Sequence, residues 1–311
     1  MWRDDDARSP DPGQREPSRG GTHRDPRTPE VADPREAFTR DLDLPRGSAR
    51  ERVRVRTRTV DLRGSEARTL ATVGTFRVVP ASDLRDHGER PTDARARDLR
   101  HLREEGLIRT MPYMMGRTRT TLVTLTDRGR DVLEAVRRHH GREPLQAFYA
   151  GIVKPRELAH DARLYQAYLR AAERLASRGA CVRRVLLDDE LKREYQRFLQ
   201  DSNRGRGDSD GRPDRERHEI EQWAHTHHLP VEDGHVQFPD VRIEYEERDG
   251  RRAIEDVEVV TPHYRGAHAA AKARSGFSRY RAVGARVGGS GSGGRRGGTA
   301  FNPRVAEGFL Q

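Results

Sequence analysis

The chain has 311 residues, with 60 Lys and Arg against 50 Asp and Glu, for a formal net charge of +10. That length suits about two domains at ~100–200 residues each, and the charge favours a polyanionic partner, because neutralising phosphates releases condensed counterions. A single cysteine, Cys181, excludes an internal disulfide and a thiolate metal cluster, and no run approaches the ~20 apolar residues of a membrane span, so no membrane partner is expected.

The first ten residues, MWRDDDARSP, hold no apolar segment of the secretory kind, which predicts a cytoplasmic, reducing location. Residues 1–50 are rich in Arg, Asp, Pro, Gly and Ser. They bury too little to offset ordering entropy and predict a disordered tail. From Glu51, VRVRTRTVDL alternates as a short strand does, or serves as the docking point of the tail. Ser65 is placed to cap a helix whose stripe is Ala67, Leu70, Val73 and Phe76, broken at Val78-Val79-Pro80. Ala81–His87 predicts a second, short helix carrying Leu84.

The stretch from Pro91 to Thr126 organises this half. PTDARARDLRHLREEGLI predicts an amphipathic helix with Leu99, Leu102 and Leu107/Ile108 inward, Thr92 as cap and Gly106 as stop. Arg95, Arg97, Arg100 and Arg103 fall on its other faces. RTMPYMMGRTRTTLVTLT predicts two strands broken at Gly116, with Arg117 and Arg119 at the tip and Met114 and Met115 packed inside. Thr126 caps the next helix, DRGRDVLEAVRRHH. Helix, two-stranded wing, helix is the order of a winged helix-turn-helix over 51–140, whose basic helix enters the major groove of double-stranded DNA. A high-GC genome would also raise arginine content, but would not concentrate it around one helix and one hairpin.

Residues 141–285 predict an α/β domain. Gly141–Lys154 is a connector with a strand-like run at Leu145–Val153, and Pro155 starts a long helix ending at Gly179. CVRRVLLD reads as a strand with Cys181 as a small buried hydrophobe, and Asp188/Asp189 cap another helix. Residues 201–213 form a polar loop, and 214–229 a further helix with Ile220 and Trp223. Val241, Ile243 and Tyr245 alternate with Arg242, Glu244 and Glu246, Asp249-Gly250 signals a hairpin turn, and Ala253–Val260 is the partner strand. After Pro262, RGAHAAAKARSGFSRYRA reads as helix, and 286–311 as a Gly-rich flexible tail.

On the second strand Asp256 and Glu258 share a face, since side chains repeat every two residues. With Asp240 at the mouth of the neighbouring strand they form a candidate oxygen-ligand set for Mg²⁺ or Mn²⁺. His225, His227 and His228, with His235 and His263 nearby, lack an HExxH pattern or a cysteine partner and read as a helix end rather than a zinc site. Tyr264 and Tyr280 read as packing residues.

Pro239-Asp240, the hairpin and Glu258 (or Asp256) resemble the PD-(D/E)xK nuclease superfamily. Val260 stands where that motif wants lysine, and Lys272 on the following helix is the relocated candidate. The resemblance implies catalytic Asp240, Glu258 and Lys272, with the metal on Asp240, Asp256 and Glu258. The full order is similar to the replication-relaxation family of bacterial mobile elements, over about residues 52–283. That likeness implies an α+β protein, a winged helix followed by a restriction-endonuclease-like domain with disordered tails. It also implies DNA binding and a plasmid or integrative-element setting; relaxase or replication proteins and a second copy of the chain, as a homodimer, are further partners the sequence allows. The rival reading is a non-enzymatic winged-helix transcription regulator whose second domain dimerises or binds a partner, with no metal required, and a third is an accessory protein that recruits a relaxase or replication machinery.

Overall fold

The computed structural model describes residues 33–55, 58–84, 94–138, 145–152, 155–201, 215–260 and 267–281. Among them the chain is α+β, with seven α-helices and sheets of both antiparallel and mixed type.

VRVRTRTVDL gives two strands rather than one. β1 (Glu51–Val55) and β2 (Arg58–Leu62) form an antiparallel hairpin that turns Val53, Val55, Val60 and Leu62 inward. Helix α1 (Gly64–Phe76) starts one residue before the expected Ser65 cap. The Glu66 carboxylate accepts the Arg63 amide at 3.1 Å, satisfying a donor at the helix start. α1 lies almost wholly inside, with Leu70, Ala71, Val73 and Phe76 buried. Val78–Pro80, expected only to break the helix, is a strand, β3. The short helix expected at Ala81–His87 is a turn over 81–83, and 85–87 lie outside the described residues.

Next come α2 (Ala94–Glu104), β4 (Ile108–Met115), β5 (Thr118–Leu125) and α3 (Asp127–Ala135). The sheet order is β3-β5-β4, antiparallel throughout. Gly116 turns β4 into β5 at φ +64°, a conformation that costs an L-residue but not glycine. Thr126 caps α3 as expected, accepting the Gly129 amide at 3.0 Å.

The second half begins with a short 3₁₀ turn, Pro155–Glu157, and then α4 (Leu158–Ser177). It continues with β6 (Cys181–Leu187), α5 (Asp188–Asp201), α6 (Arg217–Thr226) and the two-residue strands β7 (Val231–Glu232) and β8 (His235–Val236). β9 (Val241–Glu246), β10 (Arg252–Val260), α7 (Ala267–Arg274) and β11 (Ser278–Arg281) complete it. The sheet order is β11-β10-β9-β6; β6, β9 and β10 are antiparallel, and β11 lies parallel to β10 through the α7 crossover. The helix expected to run on through Tyr280 stops at Arg274, with Gly276 at φ +75°, and Ser278–Arg281 joins the sheet.

One apolar core runs through both halves. Phe76 of α1 meets Phe38, Tyr165 and Tyr168 with ring centroids 5.5, 5.1 and 5.3 Å away. Phe38 corrects the expectation that residues 1–50 are all disordered. A 3₁₀ turn at Pro34–Phe38 and buried Leu42 and Leu44 belong to the core, and Tyr168 donates its hydroxyl to the Pro34 carbonyl at 2.6 Å. Three large apolar side chains suffice to anchor a stretch whose average composition is polar.

Leu145–Val153 forms no strand over the described residues 145–152. Instead Gln146 spends its side chain on the edge strand β6. Its Oε1 accepts the Val185 amide at 2.9 Å and its Nε2 donates to the Val185 carbonyl at 2.8 Å. Arg40 donates to the Val182 carbonyl, on the same strand, at 2.8 Å. Cys181, expected to be buried, is exposed at the start of β6 with Arg40 Nη2 3.0 Å from its sulfur. Met114 is also exposed, at 56%, whereas Met115 packs against a small apolar cluster around Val78, Leu122 and Leu158. Among the described residues no helix is long and apolar enough to cross a membrane.

Candidate nucleic-acid interface and carboxylate–lysine cluster

Two places hold the side chains with chemical potential. The first is α2 with the β4–β5 hairpin. The inner face of α2 is fixed by buried Leu102, partly buried Leu99, and Asp98, which takes an ion pair from Arg63 at the start of α1. On its flank His101 Nε2 lies 2.8 Å from the Asp61 carbonyl of β2. These contacts leave Arg97, Arg100 and Arg103 exposed. At the hairpin tip Arg117 and Arg119 are exposed as well, and so is Arg109 on β4, which the sequence reading did not single out. None of these six arginines has a hydrogen-bond or ion-pair partner among the described residues. The backbone of Arg95 is helical, while its side chain and the expected Thr92 cap lie outside the described residues.

The second place is the end of the C-terminal sheet. The β9–β10 register pairs Val241 with Val257 and Arg242 with Asp256. One further step sets Asp240 beside Glu258. The Val259 amide donates to Asp240 Oδ2 at 2.7 Å, which orients the carboxylate along the strand end. The crossover helix brings Lys272 to the same point: its Nζ donates to Glu258 Oε1 and Oε2 at 2.7 and 2.8 Å and to Asp240 Oδ1 at 3.4 Å. Glu258 is 1% exposed and Asp240 7%. Burial alone would pull the Lys272 ammonium down, but Asp240 and Glu258 together outweigh it and hold it above the ordinary lysine value. Asp240, Glu258 and Lys272 therefore meet, as the sequence led us to expect.

Asp256 does not join them. Its two oxygens accept from Arg242 Nε and Nη2, both at 2.8 Å, and the same guanidinium donates to the carbonyls of His227 and His228 at 2.6 and 3.0 Å. Sharing a strand face with Glu258 is not enough, because a bidentate partner stands between. Among the described residues no group of three or more His, Cys, Asp or Glu side chains is arranged to hold a metal ion. The donor set that remains, Asp240 and Glu258, still suits a hard cation that takes one or two carboxylates and keeps several waters.

The residue that sequence reasoning missed is His160 on α4, whose Nε2 is 3.6 Å from Asp240 Oδ1. It stands in the long helix that starts after Pro155, from which the sequence reading drew no site residue. The next residue, Asp161, is buried; that burial pushes its carboxyl up to about 6, against the pull of Arg77 and His160.

Of the histidine group, His227 caps α6 with its ring stacked on Trp223 at 3.9 Å and Nδ1 2.7 Å from the Trp223 carbonyl. Tyr280 packs in the core with its hydroxyl donating to Gln166 Oε1 at 3.2 Å. His263, Tyr264 and the Gly-rich 286–311 lie outside the described residues.

Comparison of the chain with protein-family models, with curated proteins and with solved structures finds no match.

Proposed function

We propose that this chain binds duplex DNA through α2 and the β4–β5 hairpin, and that its C-terminal half carries a nuclease-like centre at Asp240, Glu258 and Lys272. The observation that carries the reading is the set of exposed arginines on α2 and at the hairpin tip that have no side-chain partner among the described residues. The succession α1, β3, α2, β4, β5, α3 with sheet order β3-β5-β4 supports the winged-helix reading, although the helix expected at Ala81–His87 is a turn over 81–83 among the described residues. In such a module the helix held like α2 lies in a major groove ~12 Å wide and the wing meets the neighbouring backbone. Leu99, Leu102 and Asp98 give α2 a fixed seat, so Arg97, Arg100 and Arg103 are presented from a rigid rod.

The second half supports a PD-(D/E)xK-like core: a four-stranded mixed sheet with Asp240 at the mouth of β9 and Glu258 inside β10. Lys272 stands in for the lysine that Val260 cannot supply. Asp240 and Glu258 would hold Mg²⁺ or Mn²⁺. Such an ion, when bound, offsets charge on a scissile phosphate and lowers the pKa of a coordinated water. The Lys272 ammonium adds a second positive charge where negative charge develops. A plasmid or mobile-element setting rests on the likeness to the replication-relaxation family alone.

Two assays test the reading. Wild-type protein is expected to bind duplex DNA with a steep salt dependence that Arg97→Ala with Arg100→Ala flattens; unchanged affinity across salt rejects α2 as the docking helix. Supercoiled plasmid with Mg²⁺ or Mn²⁺ should be nicked by wild type and left intact by Asp240→Ala; nicking by that variant rejects the metal assignment. The ion pair that Lys272 already makes with Glu258 favours a second reading, a non-enzymatic regulator whose C-terminal half dimerises or binds a partner. DNA binding with plasmid left intact by both ions selects it.

A further inference from the structure

We propose that the β1–β2 hairpin is a second DNA-contacting element, which grips the phosphate backbone beside the groove that α2 enters; this rests on the DNA-binding reading above. The hairpin is outside the α1-to-α3 succession that defines the docking module. It is nonetheless tied to that module at two points. His101 of α2 meets the Asp61 carbonyl of β2 at 2.8 Å, and Arg63, just past β2, pairs with Asp98 of α2.

The first tie fixes direction. His101, half-buried, lies four residues after Arg97 and three after the inward Asp98, so it stands on the flank of α2 between the inner face and the exposed arginine stripe. A strand that touches His101 therefore flanks the stripe that faces DNA. From Asp61 back to Arg58 is three residues, about 10 Å of strand, comparable with the ~12 Å width of the major groove. The hairpin is thus long enough to span from the flank of α2 to the backbone that borders the occupied groove.

The charges fit that partner. Val53, Val55, Val60 and Leu62 seat the hairpin on the core, leaving Arg52, Arg54 and Arg58 exposed. Arg52 lies 4.0 Å from Asp61, and the pair largely cancels. Arg54 and Arg58 have no partner among the described residues. Glu51 is the remaining exposed acid, at the far end of β1 from the tip. These two guanidinium groups lie near the end of the described strands, one on each face by the Arg54–Thr59 and Val55–Arg58 pairing, and each can take a phosphate, a contact that positions a protein without reading sequence.

The test is a salt titration of DNA binding by the full chain, comparing Arg54→Ala with Arg58→Ala against wild type. A second double variant, Arg217→Ala with Arg251→Ala, removes the same formal charge from exposed, internally paired sites. The hairpin variant is expected to weaken binding uniformly across sequences and to reduce the salt slope by about two, while the control binds like wild type. A photo-crosslinker at position 54 should label DNA outside the bases that α2 covers. An unchanged slope, or an equal loss from the control, overturns the inference while leaving α2 as the docking helix if Arg97→Ala with Arg100→Ala still weakens binding. Wild-type protein that binds no DNA overturns both.

Discussion

The arginines of α2 and those of the C-terminal sheet put one side chain to opposite uses. Arg242 is 3% exposed, and its guanidinium is spent on Asp256 and two backbone carbonyls. Arg184 pairs with Glu190 at 3.1 Å. Arg97, Arg100 and Arg103 meet nothing of the protein's own among the described residues. A net charge of +10 therefore says little by itself. What matters is where the surplus is left uncommitted, because only an uncommitted guanidinium can exchange counterions for a phosphate.

The sharpest way to break that contrast is to make the same substitution at both places. Arg242→Ala is expected to cost about 3–5 kcal/mol, since it strands the half-buried Asp256 carboxylate and frees the His227 and His228 carbonyls; urea denaturation reads it, and a loss under about 1 kcal/mol would show the pair to be idle. Phe76→Ala, which empties the aromatic junction between the halves, should cost about 3–5 kcal/mol as well. The variant is expected to unfold in one transition, because one core serves both halves; two separate transitions, read by fluorescence and circular dichroism, would divide the molecule where the contrast does. Asp161→Asn acts in the other direction. A carboxyl raised to about 6 holds its proton more tightly in the folded chain, so wild type loses stability as pH rises from about 4 through about 6. The variant should gain on the order of 2–3 kcal/mol at pH 7 and nothing below about pH 4; a gain equal at both pH values would refute burial as the cause. Arg97→Ala is the smallest effect on stability, within about 0.5 kcal/mol, while DNA binding weakens.

Much of this was legible. The helical stripe of Leu99 and Leu102, the Thr126 cap and the Asp249-Gly250 turn are local signals that tertiary packing had no reason to override. The meeting of Asp240, Glu258 and Lys272 was legible too, because a strand pair and one crossover helix leave few places for those side chains. The error over Asp256 was avoidable. Glu246 opposite Arg252 across the turn fixes every later pair, and sets Arg242 against Asp256. Other features needed partners far along the chain. Phe38 is ordered by Tyr168, Gln146 by Val185, and Tyr280 turns from helix to strand because β10 offers an edge. His160 reaches Asp240 only after α4 has crossed the sheet, and no period in its own helix could announce that.

The outer margin of the C-terminal sheet carries a consequence for assembly. A second copy adding a strand to β6 would have to evict the Gln146 amide and the Arg40 guanidinium, giving up three hydrogen bonds to Val182 and Val185 before gaining one. Two side chains borrowed from earlier in the chain thus act as a seal on that rim. Self-association by sheet extension is turned away there, and a paired form of the protein must meet its twin across another surface.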